Sequence, residues 1–208
     1  MNINEVINTK INQGEHKEIP LTKKLIGISN FIKKNCSDIL KIYSQTNCYL
    51  YRGCNYGSMI VMGNSSIDRK PKDCSFLLQK VIDTKLKEGG FKALRSNSIF
   101  CTSNNFRARS YGSLYMIFPL NGFNYTYSEN IWDFYMNGPK FNTIKNYLGK
   151  EFIDKYKFKY TNIKKALVDD NYSPEIYING KYIAINVDNT YDYVENIKPI
   201  MDKLGINI

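Results

Sequence analysis

The fold is indicated most strongly by residues 174–185, which read Pro174-Glu175-Ile176-Tyr177-Ile178-Asn179-Gly180-Lys181-Tyr182-Ile183-Ala184-Ile185. Apolar and β-branched residues flank Asn179-Gly180, a dipeptide that is typical of two-residue hairpin turns. We therefore predict two strands here, 175–178 and 182–187, paired as a β-hairpin.

A second hairpin is predicted just upstream, where strands 114–119 and 123–127 flank Asn121-Gly122. Two shorter strands precede it, at 48–52 and 98–101, each rich in aromatic or β-branched residues. Between them, the glycine-containing residues 53–74 are predicted to form a long loop, and loops of that length in compact domains are usually functional.

Helices are predicted on both sides of these strands. Apolar residues recur at helical spacing from Leu21 to Tyr43, where Ser37 is placed to cap a second helix beginning at Asp38. Residues 75–88 form an amphipathic stretch with Ser75 as its cap and Gly89-Gly90 as its end.

The remaining helices are predicted later in the chain. Ser128 is placed to cap a helix over 128–135, residues 138–166 are expected to be mostly helical, and 191–204 form a terminal amphipathic helix. This order of elements predicts an α+β fold. We predict one domain over 1–208, with an N-terminal helical segment at 1–47 and the core at 48–208.

Composition narrows the possible chemistry. A single histidine, His16, leaves no second imidazole for a His-rich metal site, and the five cysteines form no Cys-x-x-Cys pair. We expect reduced thiols, no metal, no signal peptide, no membrane span and a cytoplasmic protein. The formal charge of +10 suits either a solvated lysine-rich surface or attraction to a polyanion.

Three separated segments place chemically useful side chains at strand edges. Tyr51-Arg52-Gly53 supplies an arginine, Phe100-Cys101-Thr102-Ser103 supplies a hydroxyl pair, and Glu175 opens the late strand. The planar guanidinium of an arginine can hold phosphate oxygens in two contacts. A carboxylate can oppose the positive charge that develops when a glycosidic bond breaks.

These segments resemble, in the same order, the motifs of ADP-ribosyltransferases of the arginine–serine–glutamate class. In this comparison Cys101 replaces the first serine of a Ser-Thr-Ser-type triplet, and 108–112 are similar to the helix that follows it. The likeness covers roughly residues 49–187. It implies an ADP-ribosyltransferase-like, split mixed or antiparallel β-sheet core, and the small, Asn-, Ile- and Lys-rich chain would suit a phage-type member.

The resemblance implies that the protein cleaves the nicotinamide–ribose bond of NAD and transfers ADP-ribose to a macromolecule, either protein or nucleic acid. Arg52 would bind the phosphates, and the Gly53 backbone would approach the nicotinamide amide. Thr102 and Ser103 would orient the catalytic Glu175. The nicotinamide ring would stack on Tyr111 or Tyr115.

Alternatives stay open at this point. Glu129 and Asp133 are rival acids, and Ser173 stands where a Glu-x-Glu or Gln-x-Glu motif has its first Glu or Gln. The charged turn at 68–73 is either solvated or in contact with NAD phosphates or the target. The lysine- and aromatic-rich residues 140–165 would suit a non-catalytic nucleic-acid-binding protein, and an interaction or inhibitor protein is a further possibility.

Overall fold

A computed structural model of the protein describes residues 21–65, 68–71, 74–168, 173–188 and 200–206. The helices in these ranges are α1 (Leu21–Asn35), α2 (Ser37–Thr46), α3 (Phe76–Glu88), α4 (Asn105–Arg109), α5 (Phe134–Asn137), α6 (Phe141–Ile144), α7 (Gly149–Tyr156) and α8 (Ile163–Val168). The strands are β1 (Tyr51–Gly53), β2 (Ile60–Asn64), β3 (Ile99–Cys101), β4 (Leu114–Pro119), β5 (Asn124–Ser128), β6 (Phe158–Lys159), β7 (Ile176–Asn179) and β8 (Lys181–Asn186).

The strands form two antiparallel sheets. The first sheet has the order β1-β4-β8-β2, and the second has the order β3-β7-β5-β6. A short bridge between Tyr51 and Thr102 links β1 of the first sheet to the end of β3 of the second. The α+β prediction is confirmed, with two sheets in which every described strand pair is antiparallel.

Both predicted hairpins are wrong, although both Asn-Gly turns are present. β7 pairs with β3 and β5 in the second sheet, whereas β8 pairs with β2 and β4 in the first. In the same way, β4 lies in the first sheet and β5 in the second. Each turn therefore carries the chain from one sheet to the other.

The hairpins fail because the strands already have partners on both edges. β8 lies between β4 and β2, and β7 lies between β3 and β5, so neither strand has an edge left for the other. Local turn chemistry indicates that the chain reverses, but long-range pairing decides which strand it joins. The crossing at Gly180 is held by Ser65, whose hydroxyl accepts a hydrogen bond from the Gly180 N–H at 3.0 Å.

The predicted loop at 53–74 contains a strand that sequence reasoning missed. Residues 60–64 (Ile-Val-Met-Gly-Asn) form β2 and pair in register with residues 181–185 of β8. The segment has β-forming side chains, but its glycine and its flanking turn residues obscure the pattern. Its pairing partner also lies far along the chain, where no local signal reveals it.

The N-terminal helices pack on the first sheet. Ile32 and Ile39 are fully buried, and the Tyr43 hydroxyl donates a 2.5 Å hydrogen bond to the Ile117 carbonyl of β4. The capping role predicted for Ser37 is wrong, since this residue is the first of α2 and Cys36 occupies the cap position. The Ser37 hydroxyl instead accepts a hydrogen bond from the Asn121 side chain at 2.9 Å.

The helix over residues 75–88 is confirmed as α3, in which the Ser75 hydroxyl accepts a hydrogen bond from the Leu78 N–H. The predicted helix at 128–135 is wrong. Ser128 ends β5, and its hydroxyl accepts hydrogen bonds from the backbone N–H groups of Asn130 and Ile131 in a turn. Helical structure begins only at Phe134.

Residues 138–166 are helical only in part, because β6 interrupts them. Their aromatic residues belong largely to the core: Phe152 and Phe158 are buried and stack on each other with ring centroids 5.2 Å apart. Tyr160 is the exposed exception, with 53 % of its surface accessible. This packing leaves few rings in the segment available to stack on a nucleic acid.

The apolar side chains form two clusters. The larger cluster joins α1, α2 and α8 to strands of both sheets, and the smaller one packs α3, α7 and β6 together. Residues 200–204 are helical, while 1–20 and 191–199 of the sequence-based predictions lie outside the described residues. No helix in the described ranges is both long enough and apolar enough to cross a membrane.

Candidate active site

Five of the predicted site residues line one cavity: Arg52, Gly53, Thr102, Tyr111 and Glu175. Arg52 comes from β1, Thr102 directly follows β3, and Glu175 directly precedes β7. The cavity has a volume of about 370 Å³, within the range of roughly 300–1,000 Å³ that is typical of small-molecule sites. It lies where the two sheets meet.

Backbone contacts hold this meeting point together. Tyr51 and Thr102 exchange two hydrogen bonds, N–H to carbonyl, of 2.8 and 2.9 Å. The Thr102 hydroxyl donates to the Ser173 carbonyl at 3.2 Å, and it accepts a hydrogen bond from the Asn104 N–H. Thr102 therefore connects the Arg52 strand to the segment that leads into Glu175.

Ser173 adopts a backbone conformation that is uncommon for a residue with a side chain. Its φ is +38°, in the left-handed region. Its carbonyl oxygen accepts hydrogen bonds from both Thr102 and the Arg107 guanidinium, the latter at 2.6 Å. Such conformations persist where surrounding contacts enforce them, and they concentrate at functional sites.

Arg52 presents a half-buried cation to the cavity. Its Nη1 donates to the Phe100 carbonyl at 3.1 Å, while its buried Nε has no hydrogen-bond partner among the described residues. Burial opposes the charge, but the tyrosine and cysteine side chains around it leave the pKa of Arg52 raised above its ordinary value. Arg52 therefore stays charged, and it lines the cavity, where its charge attracts an anionic ligand.

Glu175 forms an ion pair at the back of the cavity. Its Oε1 lies 2.7 Å from Nη1 of Arg95, whose side chain is only 4 % exposed. The same Nη1 donates to the Tyr177 hydroxyl at 2.8 Å. Burial opposes the Arg95 charge, but Tyr177 and Glu175 favour it, and the pKa of Arg95 is raised.

Two further arginines line the cavity. The Arg69 guanidinium carbon lies 3.8 Å from the centroid of the Phe100 ring. The Arg107 guanidinium carbon lies 4.7 Å from the Trp132 ring centroid, and its Nη1 donates to the Trp132 carbonyl. The lining thus contains three arginines against two acids, Asp133 and Glu175, and favours an anionic ligand.

Tyr111 and Asp133 also line the cavity and contact each other. The Tyr111 hydroxyl donates to Oδ2 of Asp133 at 3.0 Å, and Oδ1 of Asp133 accepts a hydrogen bond from the Met136 N–H in the first turn of α5. Asp133 is 7 % exposed, whereas Tyr111 is 55 % exposed. The rival acid Asp133 thus reaches the cavity with both carboxylate oxygens engaged, and the Tyr111 ring remains accessible.

Gly53 lines the cavity. The resemblance explained the glycine by a close approach of the nicotinamide amide, whereas the structure explains it by the packing of α4. A Cβ built at this position would lie 1.7 Å from the Ala108 carbonyl oxygen. The absent side chain is therefore what allows α4 to pack against β1. That packing places Arg107 and Tyr111 beside the cavity.

Several predicted residues do not meet at this site. Ser103 lines a separate depression of about 290 Å³. Tyr115 is 1 % exposed and its hydroxyl donates to the Ser58 carbonyl, so the geometry does not support the ring-stacking role predicted for it. Glu129 is ion-paired with Lys165 away from the cavity, and that hydrogen bond lowers the pKa of the Glu129 carboxyl.

Cys101, which replaces a serine in the resemblance, is buried and borders the cavity. Burial raises the pKa of its thiol to about 12. The thiol therefore stays protonated at neutral pH, and it is a poor nucleophile.

Sequence reasoning missed Arg95 and Arg107 and noticed Arg69 only as part of a charged turn. In the sequence, Arg95 has no feature that distinguishes it from a surface arginine. Only the fold surrounds it with Phe100, Phe134 and Tyr177. Arg69 had a weak signal, since it stands in a charged turn inside a long loop. Its backbone is held by Ser96 and Gln79, which no local pattern could reveal.

Comparisons of the chain with protein-family models, with curated proteins and with solved structures found no match. The described residues also contain no cluster of three or more His, Cys, Asp or Glu side chains that could hold a metal ion.

Proposed function

We propose that this protein is an NAD-dependent mono-ADP-ribosyltransferase with an ADP-ribosyltransferase-like arrangement of its two sheets. The supporting observation is that Arg52, Thr102 and Glu175, which stand in three distant segments, line a single cavity. A chance resemblance of three short motifs gives no reason for their side chains to meet. The composition of the cavity also suits the substrate.

The arginines fit the anionic part of a dinucleotide. Guanidinium groups bind phosphate oxygens through paired, charge-assisted hydrogen bonds. Arg52 and Arg69 both line the cavity, and Arg69 lies on the ring of Phe100, the residue whose carbonyl binds Arg52. In our proposal Arg52 and Arg69 hold the pyrophosphate of NAD.

Glu175 fits the reacting end of the substrate. Cleavage of a nicotinamide–ribose bond leaves positive charge on the ribose, which a nearby carboxylate opposes. Arg95 engages Oε1 of Glu175, so Oε2 can accept a hydrogen bond from a ribose hydroxyl. This arrangement needs no histidine and no metal ligand.

Tyr111 fits the nicotinamide ring. Its exposed side chain lines the same cavity as Arg52 and Glu175, and aromatic rings stack readily on flat heterocycles. Of the two rings predicted for this role, Tyr111 alone lines the cavity. In the proposal the acceptor of ADP-ribose is a protein or nucleic-acid group that enters beside Tyr111.

The decisive experiment measures nicotinamide release from NAD, with and without a cell lysate as the source of acceptor. We expect Glu175→Gln to reduce release by about 10²–10³-fold, since it removes the charge and keeps the shape. Glu129→Gln is the matched control, because Glu129 is the rival acid that lies outside the cavity. This control should release nicotinamide as fast as the wild type.

Loss of the Glu175 charge also leaves the buried Arg95 without its ion-pair partner, so folding must be checked separately. Thermal unfolding and NAD binding of Glu175→Gln, measured beside Tyr177→Phe, separate lost chemistry from lost structure. Release that depends on Glu175 and rises with lysate would support a transferase, and release independent of lysate would indicate an NAD glycohydrolase. No release under any condition would refute the proposal and favour a non-catalytic binding protein.

A further inference from the structure

The most unusual side chain near the cavity is the buried guanidinium of Arg95. It is 4 % exposed, and its Nη1 contacts both Oε1 of Glu175 and the Tyr177 hydroxyl. Its Nε is buried and has no hydrogen-bond partner among the described residues. A cation that is buried with an unsatisfied donor is costly to keep.

Aromatic rings fix the orientation of this guanidinium. Its central carbon lies 4.6 Å from the Phe100 ring centroid, 4.3 Å from that of Phe134 and 5.4 Å from that of Tyr177. A planar cation enclosed by three rings has little rotational freedom. Its Nη1 therefore presents a fixed donor to the Glu175 carboxylate.

The backbone of Arg95 is fixed as well. The Asp83 carboxylate on α3 accepts hydrogen bonds from the Arg95 N–H at 2.8 Å and from the Ser96 N–H at 3.1 Å. Both ends of the Arg95 side chain are thus tied to rigid elements. The position of Glu175 is set by α3 and β3 in addition to its own strand.

Phe100 connects this support to the phosphate-binding side of the cavity. Its ring contacts Arg95 and its carbonyl accepts the hydrogen bond from Arg52. One residue of β3 thereby sets the distance between Arg52 and the arginine that holds Glu175. A substrate that is bound at both ends requires such a fixed spacing.

The charge of Arg95 cannot itself assist the proposed chemistry. A cation beside Glu175 offsets part of the negative charge that would oppose the positive charge on the ribose. The contribution of Arg95 must therefore be geometric if it contributes at all. A geometric role predicts that kcat falls when Arg95 is replaced, whereas loss of its charge alone predicts that kcat rises.

We infer that Arg95 is a positioning residue, which holds Glu175 through Oε1 so that Oε2 faces the ribose of the bound dinucleotide. The inference rests on the proposed function. It assigns to a buried ion pair the orienting role that the resemblance assigned to hydroxyl groups at 102 and 103. In the structure the Thr102 hydroxyl binds the Ser173 carbonyl instead.

The test compares the steady-state kinetics of nicotinamide release for Arg95→Met, Arg95→Lys and the control Glu129→Gln. We expect Arg95→Met to lower kcat by about 10²-fold and to change the KM for NAD by less than about threefold, since it acts on the reacting end alone. Arg95→Lys keeps the charge without the planar fork and should fall between Arg95→Met and the wild type. Glu129→Gln, at a residue that pairs with Lys165 and is not in the cavity lining, should keep nearly full kcat.

A double variant separates positioning from general structural support. If Arg95 acts through Glu175, then Arg95→Met combined with Glu175→Gln should be no slower than Glu175→Gln alone. Independent, multiplicative losses would overturn the inference, and so would a kcat for Arg95→Met that equals or exceeds that of the wild type. If Arg95→Met does not fold, Arg95→Lys supplies the same comparison.

The two proposals fail in different ways. If the wild-type protein releases no nicotinamide, the proposed function is refuted and this inference with it. If the wild type and Arg95→Met release it equally well and Glu175→Gln does not, the proposed function stands and the role of Arg95 alone is refuted.

Discussion

The change Gly53→Ala tests the packing that builds the cavity wall. The added Cβ would lie 1.7 Å from the Ala108 carbonyl oxygen and 3.1 Å from the Tyr111 Cβ, whereas real Cβ contacts are essentially never shorter than 3.0 Å. The backbones of β1 and α4 must therefore separate by about 1.3 Å. Since the obstructing atom belongs to the main chain, no side-chain rotation can relieve the overlap.

The expected cost is at the upper end of the range for overpacked interiors, about 3 kcal/mol in the free energy of unfolding. With a urea dependence of about 3 kcal/mol per molar, the unfolding midpoint would fall by about 1 M. Because α4 carries Arg107 and leads to Tyr111, NAD binding should weaken as well. Urea unfolding and calorimetric titration with NAD measure the two effects.

Gly27→Ala is the matched control with the opposite sign. Gly27 lies within α1, and a Cβ there meets no atom within 4 Å. Alanine should therefore stabilise the protein by about 0.8–1 kcal/mol through helix propensity. A Gly53→Ala protein that unfolds at the wild-type urea concentration would refute the reasoning, because α4 could not then be packed on β1 as described.

Two further predictions concern groups around the site. Glu129→Gln should leave nicotinamide release unchanged and cost less than about 1 kcal/mol, since the ion pair with Lys165 is an exposed one; a release rate as low as that of Glu175→Gln would instead make Glu129 the catalytic acid. Burial raises the pKa of the Cys36 and Cys101 thiols to about 12, whereas a thiol in the unfolded chain ionises near pH 8.5. Between these pH values the unfolded state binds fewer protons, so stability falls as pH rises, by about 1.4 kcal/mol per pH unit for each thiol. Urea unfolding at pH 8 and 10.5 should show a smaller loss for the Cys36→Ala, Cys101→Ala double variant, and an equal loss would contradict the burial of the thiols.

The sequence correctly predicted elements that are stabilised by contacts within one segment of the chain. α3 was predicted from its amphipathic spacing, with the correct Ser75 cap and Gly89 end, because a helix satisfies its backbone within one segment. β2 was missed, and Ser128 was assigned to a helix. Both depend on contacts with residues far along the chain, β8 for the strand and the Tyr156 carbonyl for the Ser128 hydroxyl.

The same distinction applies to the site. Arg52 and Glu175 were identified because each stands beside a recognisable strand signal and has a side chain suited to the chemistry. Arg95 was not identified, since its burial and its contact with Glu175 exist only after α3 and β3 have packed together. Tyr115 was predicted to stack on the nicotinamide ring. The sequence does not show which face of a strand will be buried, so the burial of this side chain could not be foreseen.

The strand arrangement that makes the predicted late hairpin wrong also produces the cavity. If β7 and β8 were paired with each other, Glu175 would lie in the sheet that contains Arg52. Because β8 is flanked by β2 and β4, the turn at Asn179-Gly180 sends β7 into the second sheet, beside β3. Glu175 then faces Arg52 across the junction of the sheets, where the Tyr51–Thr102 bridge holds the two edges together. The distance between the two charged groups is thus set by strand pairing, which is more rigid than a loop. The proposed binding of a dinucleotide at two points would gain from that rigidity.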